Sequence, residues 1–276
     1  MTTWFITGIS RGLGLALARA VLAAGDTVIG TARGEVTGLP ESEGRLRVLR
    51  ADLADAQTPQ RLVEAAFETT GRIDVIVNNA GYGLLGAVES SSEEELRRLF
   101  EVDVFAPIRI VRAALPRLRA QGSGHIVNIT SIAGRAPGVG TALYSAAKAA
   151  LEGFSASLAA ELAPLGIKVT AVAPGAFRTD FLSDHSIRKS GHANEAYAAT
   201  VGQSASAFDA AHGRQLGDPE RGARAIIDAV RAAEPPLHLL LGSDALRRAR
   251  EKLKAMAGEI DAWEERTRST DFADGA

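Results

Sequence analysis

The chain has 276 residues, a net charge of −2 and no cysteine. That length suits one α/β domain with a sizeable core plus a tail. The 31 basic and 33 acidic side chains are interspersed, leaving no electrostatic footprint for nucleic acid or an anionic membrane. The lack of cysteine excludes disulfides, thiolate metal sites and a cysteine nucleophile, while leaving the compartment open. Small-molecule partners are expected. Met1-Thr2-Thr3-Trp4 enters a strand almost at once, leaving no room for a signal leader, and no run approaches ~18 apolar residues, so a soluble cytoplasmic protein is expected.

In chain order, apolar runs at Trp4 to Thr7, Thr27 to Ala32, Arg47 to Ala51, Val75 to Asn78, His125 to Thr130, Lys168 to Ala173 and Leu237 to Leu241 read as buried strands. Helical stretches separate them. Thr58 is placed as an N-cap, Pro59 at the first helical position and Gly71 past the last turn. Ser92 and Glu95 have capping-box spacing, and Asp218-Pro219 opens another helix. A further helix runs from about Thr141 to Leu162, before Pro164 and Gly166. Strands alternating with helices imply a parallel, doubly wound sheet of order 3-2-1-4-5-6, which binds a dinucleotide where the strand order reverses.

Chemistry concentrates at the strand exits. Gly8, Gly12 and Gly14, with Ser10, Arg11 and Leu13 between them, lie where the first strand turns into a helix whose free amides and positive end suit a pyrophosphate. The second strand ends Thr31-Ala32-Arg33. Ala32 stands where NAD-preferring folds place an acid, which favours NADP(H), with Arg11 and Arg33 able to clasp a 2′-phosphate. Tyr144 and Lys148 are four residues apart and share a helix face, so the ammonium favours the ionised phenol. That spacing alone is weak, since any Ala-rich helix can carry a solvated pair.

These features occur in one fixed order with Ser131, with Asn78-Asn79-Ala80-Gly81 and with Pro174-Gly175-Ala176-Phe177-Arg178-Thr179. In that order the chain resembles the short-chain dehydrogenase/reductase family, in its compact single-domain subgroup, from about Thr3 through the strand near Leu241. The resemblance implies a Rossmann-like fold with a seventh strand, a nicotinamide cofactor, a ketone or secondary-alcohol substrate, and a homodimer or homotetramer. By the same resemblance Tyr144 is the general acid/base, Lys148 holds the ribose hydroxyls and Ser131 fixes the substrate oxygen. Asp52 and Leu53 match the adenine contact, although an acid at a strand exit is also a common turn residue. Asn79, Ala80 and Gly81 match the loop beneath the adenosine ribose, with Asn78 tying strands together. Pro174, Gly175 and Thr179 match the nicotinamide end, Thr179 as the hydroxyl holding the carboxamide.

Asp103 departs from the family's pattern. It replaces an asparagine whose backbone carbonyl holds a water on the proton path from Lys148, and a partly buried acid there needs a hydrogen-bond donor or a raised pKa. His125, His185, His192 and His212 lack tight ligand spacing and are expected to be solvated, with no metal site. The stretch Asp180 to Gly217 resembles the family's substrate lid; its Phe181, Leu182, Tyr197 and Phe208, with Tyr82, Val139, Leu143 and Phe177, suggest an apolar pocket. Leu246, Ala249, Leu253, Met256, Ile260 and Trp263 form one stripe on a final helix, Asp244 to Arg268, which packs on its own domain or on a partner helix. The opposing functional class is a nucleotide-sensing regulator, which needs the glycine loop but not the proton machinery.

Overall fold

A computed structural model describes residues 1–40, 44–182, 186–191 and 194–272, the Leu182 side chain excepted. The chain runs β1 (Thr3–Thr7), α1 (Gly12–Ala23), β2 (Thr27–Ala32), β3 (Leu46–Arg50), α2 (Thr58–Thr70), β4 (Val75–Asn78), β5 (Gly83–Leu85), α3 (Glu93–Phe100), α4 (Ala106–Gln121) and β6 (Gly124–Ile129). It continues through α5 (Ile132–Arg135), α6 (Ala142–Leu162), β7 (Ile167–Pro174), β8 (Ile187–Lys189), α7 (Gln203–Ala211), α8 (Pro219–Arg231), β9 (His238–Leu241) and α9 (Ser243–Arg268). Seven strands form one parallel sheet in the order β3-β2-β1-β4-β6-β7-β9. This is the expected doubly wound Rossmann-like arrangement with its seventh strand.

Successive strand side chains point to opposite faces, and the two faces make two cores. Phe5, Ile29, Ile76 and Ile126 pack beneath α2, α4 and α6, against Phe67, Leu118 and Leu158. Their neighbours Trp4, Ile6, Val28 and Val77 face the other way, against Leu17 and Val21 of α1 and Ile226 of α8. Both faces are covered, which explains why the central strands read as continuous apolar runs rather than alternating ones. The edges behave differently. β3 and β9 are not the buried strands expected: β3 is intermediate or exposed throughout, and β9 buries only Leu241, because each has a neighbour on one side alone.

Helix ends follow local chemistry. Ser92 and Glu95 form the complete capping box, and Asp218 accepts from the amides of Glu220 and Arg221. Gly71 ends α2 in the left-handed region. Thr58, however, is the first helical residue rather than the cap, which puts Pro59 second. Asp55 closes that entry, accepting from the Gln57 amide at 3.0 Å and the Thr58 hydroxyl at 2.9 Å.

Among the elements not foreseen, a small sheet and a π-helical turn shape the site. β5 and β8 pair in parallel, Gly83 opposite Ile187, as a separate two-stranded sheet that pins the expected lid to the chain after β4. Between α3 and α4, Glu101–Phe105 forms a π-helical turn. That extra residue per turn carries Asp103 into the interior, where it is fully buried.

Candidate active site

The sheet order reverses beside β1 and β4, and the carboxyl ends of the strands there open into a cleft of about 730 Å³. Every residue assigned to the cofactor from sequence lines it: Gly8, Ser10, Arg11, Gly12 and Leu13 at the first turn; Arg33, Asp52 and Leu53 at the adjoining exits; Asn79, Ala80 and Gly81 after β4; Pro174, Gly175 and Thr179 after β7; and Tyr144 with Lys148. Ser131 lines it as well, whereas Asp103 sits behind the wall.

Geometry explains the glycine loop. Gly12 has φ +59°, which side chains adopt only under strain. A Cβ on Gly14 would stand 2.3 Å from both the Asn79 amide nitrogen and the Gly8 carbonyl, so α1 can begin this close to β1 and β4 only with glycine there. The Asn79 side chain braces the loop, donating to the carbonyls of Thr7 at 2.9 Å and Gly8 at 3.0 Å. Its amide is therefore spent on the fold. Asn78 does tie neighbouring strands, donating to Asn128 at 2.8 Å. On the opposite wall, Thr179 packs against Gly12, and its hydroxyl accepts from the Phe181 amide at 3.2 Å.

Arg33 is exposed beyond a buried Ala32, and Arg11 lies in the same cleft. Asp52 serves its turn, accepting from the Ala54 amide at 3.0 Å, and also lies 3.6 Å from Arg98, a cleft residue that sequence reasoning passed over. No spacing rule connects Asp52 to Arg98; only the fold, which brings α3 beside the exit of β3, does.

The catalytic candidates converge through a close helix contact. Ser131 follows β6 and caps α5, its Oγ accepting from the Ala133 amide at 3.1 Å. A Cβ on Gly134 would lie 2.8 Å from the Lys148 carbonyl carbon, so that glycine lets α5 lie on α6 and brings Ser131 to Tyr144. The capping and site roles of Ser131 coexist, since its hydroxyl lies near enough to the Tyr144 phenol to favour the ionised form.

Tyr144 and Lys148 are both buried, with Lys148 Nζ 5.8 Å from the phenol ring centre. The phenol does not titrate low, as the lysine alone suggested. Burial pushes it above its ordinary range and Asp103 pushes it further, against the opposing pull of Lys148 and Ser131. Burial also disfavours the Lys148 cation, but Asp103 and Tyr144 outweigh that and hold it above the usual lysine value.

Asp103 was expected to act through its backbone, yet its carboxylate makes the contact. Oδ2 lies 3.0 Å from Lys148 Nζ, and Oδ1 accepts from the Tyr82 amide at 3.1 Å. Burial raises the Asp103 pKa, opposed by Lys148. Gly81 leaves the room for this pair, since a Cβ there would stand 2.9 Å from Asp103 Oδ2. Lys148 also donates to the Ile129 carbonyl at 3.2 Å, fixing the ammonium between β6 and the π-helical turn.

The apolar side of the cleft includes Tyr82, Val139, Phe177, Phe181 and Phe208 as expected, and also Leu84, Leu85 and Ile187 from the small sheet. Leu143 and Tyr197 are not part of it. Leu143 packs into the cluster around Tyr144, and the Tyr197 hydroxyl donates to Glu89 at 2.8 Å. His125 is buried rather than solvated, 2.9 Å from the Thr170 hydroxyl, and burial lowers its pKa to about 4. His212 is exposed as expected, while His185 and His192 lie outside the described residues. Among the described residues, no helix is long and apolar enough to cross a membrane.

Comparison with known proteins agrees with this geometry. Residues 2–189 match the short chain dehydrogenase family. The crystal structure of a short-chain dehydrogenase from Streptomyces avermitilis is 42% identical, covers 98% of both chains and superposes with a TM-score of 0.90. The likeness therefore extends past β9 and takes in α9, which the motifs alone left outside. Oxidoreductase BOA17 of Botryotinia fuckeliana (strain B05.10) is 38% identical over 266 residues, 95% of this chain and 96% of its own. The 3-ketodihydrosphingosine reductase of Bacteroides thetaiotaomicron is 34% identical over 242 residues, 86% of each chain. Matching in family pattern, fold and full-length relatives, the chain belongs to the short-chain dehydrogenase family and is an oxidoreductase.

Proposed function

We propose that this enzyme interconverts a ketone and a secondary alcohol with NADP(H), Tyr144 serving as general acid/base. The observation that carries the reading is the convergence of Ser131, Tyr144 and Lys148 in one cleft that Arg33 and Arg11 also line. When bound, the nicotinamide cofactor supplies or accepts the hydride, and its oxidised ring adds a positive charge. Ser131 holds the substrate oxygen in line with the phenol, limiting the search for a reactive pose. The Tyr144 hydroxyl donates its proton to that oxygen in reduction and removes one in oxidation. A phenol held above its ordinary pKa is protonated throughout the neutral range, ready to act as the acid. Lys148, kept cationic by Asp103, stabilises the phenolate left behind and is placed to hold ribose hydroxyls.

At the adenosine end, the fork of Arg33 suits a phosphate, and Ala32 leaves out the acid that would repel one. Asp52 and Leu53 flank the adenine, Ala80 and Gly81 line the ribose, and Thr179 holds the carboxamide. In keeping with the family, we propose a cytoplasmic homodimer or homotetramer. The mostly apolar walls from Tyr82 to Phe208 favour a hydrophobic ketone, and the Bacteroides relative is named a reductase of a ketone of that character, 3-ketodihydrosphingosine.

The test is NADPH oxidation across aliphatic, aromatic and steroid-like ketones. Turnover of one or more is expected. Tight NADPH binding with no turnover on any would support the nucleotide-sensing alternative.

A further inference from the structure

The large apolar side chains of α9, Leu246, Leu253, Met256, Ile260 and Trp263, fall with Ala249 in an alternation of three- and four-residue steps. That repeat generates a narrow seam suited to one partner helix, rather than the wider stripe a domain surface covers. The domain uses only its beginning. Ala245 and Ala249 are buried against Ile132 and Ala136 of the α5 region, but Leu253, Ile260 and Trp263 are each about two-thirds exposed, and Met256 is 43% exposed. From Leu253 onward every described residue of α9 is exposed. A helix projecting this way gains little from propensity alone and is stabilised chiefly by covering its apolar face.

Charge decides what covers it. The first half carries Arg247, Arg248, Arg250, Lys252 and Lys254 against two acids: Asp244, which accepts from the Ala176 amide at 2.9 Å, and Glu251, which Arg247 holds in the same helix at 3.0 Å. The second half carries Glu259, Asp261, Glu264 and Glu265 in succession before Arg266 and Arg268. A second copy laid parallel would set like charges together. Laid antiparallel, it runs the basic half of each helix along the acidic half of the other. Both signs on the polar face also disfavour an anionic membrane, which selects amphipathic helices rich in Lys and Arg.

We propose that α9 is a homotypic docking element that pairs antiparallel with α9 of a second copy of this chain. Leu253 then packs on the second copy's Trp263 and Met256 on its Ile260, with the two-fold axis beside Ala257 and Gly258. The seam is short, so the pairing is reversible and concentration-dependent. It stands apart from the catalytic reading, because the seam residues lie outside the cleft.

The lack of native cysteine makes a clean test possible. In the full chain, Ala257→Cys should be joined into a dimer by a short bismaleimide cross-linker, because the two thiols face each other beside the axis within roughly 10 Å at the spacing of packed helices. Arg250→Cys should not, because its thiols lie at opposite ends of the pair, on the order of 20 Å apart at 1.5 Å per residue. Cross-linking of both variants to the same extent would mean a parallel or random encounter and overturn the proposal. Independently, the double variant Leu253→Asp with Ile260→Asp should keep the wild-type melting transition, since both sites are exposed. It should also halve the sedimenting mass of the wild-type species at high concentration and remove the concentration-dependent blue shift of Trp263 emission. Trp4, the other tryptophan, is buried and acts as a constant background. An unchanged assembly state in the double variant overturns the proposal. So does wild-type retention on phosphatidylserine vesicles without self-association, which would assign the seam to a membrane.

Discussion

Tyr144 is set by competition among neighbours rather than by its lysine alone. Burial and Asp103 hold the proton on, while Lys148 and Ser131 favour its loss. Under the proposed mechanism, Tyr144→Phe should retain NADPH binding and lower turnover by at least ~10²-fold, the low end of general acid/base contributions. Stopped-flow hydride transfer at saturating ketone measures this, and a rate within about threefold of wild type would remove Tyr144 from the proton path. Asp103 yields a prediction with a definite sign. Its charge raises the phenol pKa, so Asp103→Asn should shift the pH profile of alcohol oxidation, which needs the phenolate, toward lower pH. Ketone reduction, which uses the protonated phenol, should lose rate at lower pH than in the wild type. An unmoved profile would return Asp103 to a purely structural part, while a shift to higher pH would mean that Lys148 loses its charge once its partner is gone.

At the scale of elements, contacts between backbones position the site. α5 rests on α6 through Gly134, and the clash a methyl group would meet is with backbone atoms of Lys148 and Ala149 rather than with a side chain that can swing away. A glycine-to-alanine change inside an unconstrained helix stabilises it by roughly 0.5–1 kcal/mol. Here Gly134→Ala should instead cost about 1–3 kcal/mol, the usual penalty of overpacking, and lower turnover by moving Ser131 off Tyr144. Urea denaturation reads the stability change, and a stabilised variant would show that α5 is free to shift. The β5–β8 pairing acts on the other side of the cleft. Three residues from each segment anchor the lid to the loop that carries Gly81 and Tyr82, coupling the apolar wall to the floor around Lys148.

For the whole molecule, cofactor choice becomes a stability measurement. A ligand that binds only the folded chain stabilises it by mass action, about 2.7 kcal/mol at a hundredfold excess over Kd. NADPH should therefore raise the melting temperature more than NADH at equal concentration, and Arg33→Ala should abolish that difference while leaving the NADH effect nearly intact. Equal shifts from both cofactors in the wild type would set aside the 2′-phosphate reading.

Much of this architecture can be read from residues alone, because it rests on local chemistry. Buried parallel strands need unbroken apolar runs, a close strand-to-helix turn needs glycines at fixed offsets, and a proton relay on one helix face needs Tyr144 and Lys148 four apart. The doubly wound strand order and the glycine loop follow from those requirements, while the seventh strand and the cofactor residues after β3, β4 and β7 come from the family resemblance. What the tertiary structure decided are the properties that depend on which surfaces meet. An edge position leaves β3, with Leu46, Val48 and Leu49 among its five residues, intermediate or exposed throughout. A π-helical turn drives the Asp103 carboxylate onto Lys148, whereas its sequence position suggested only a backbone role. Packing buries His125, turns Leu143 away from the cleft and sets Arg98 beside Asp52. Three-residue strands such as β5 and β8 are too short to leave a periodic signal, and they form only because the lid and the β4 loop are brought together. The α9 stripe shows the boundary most plainly: spacing establishes that one face is apolar, but only the folded domain shows that it covers the first turns and leaves Leu253 through Trp263 in solvent.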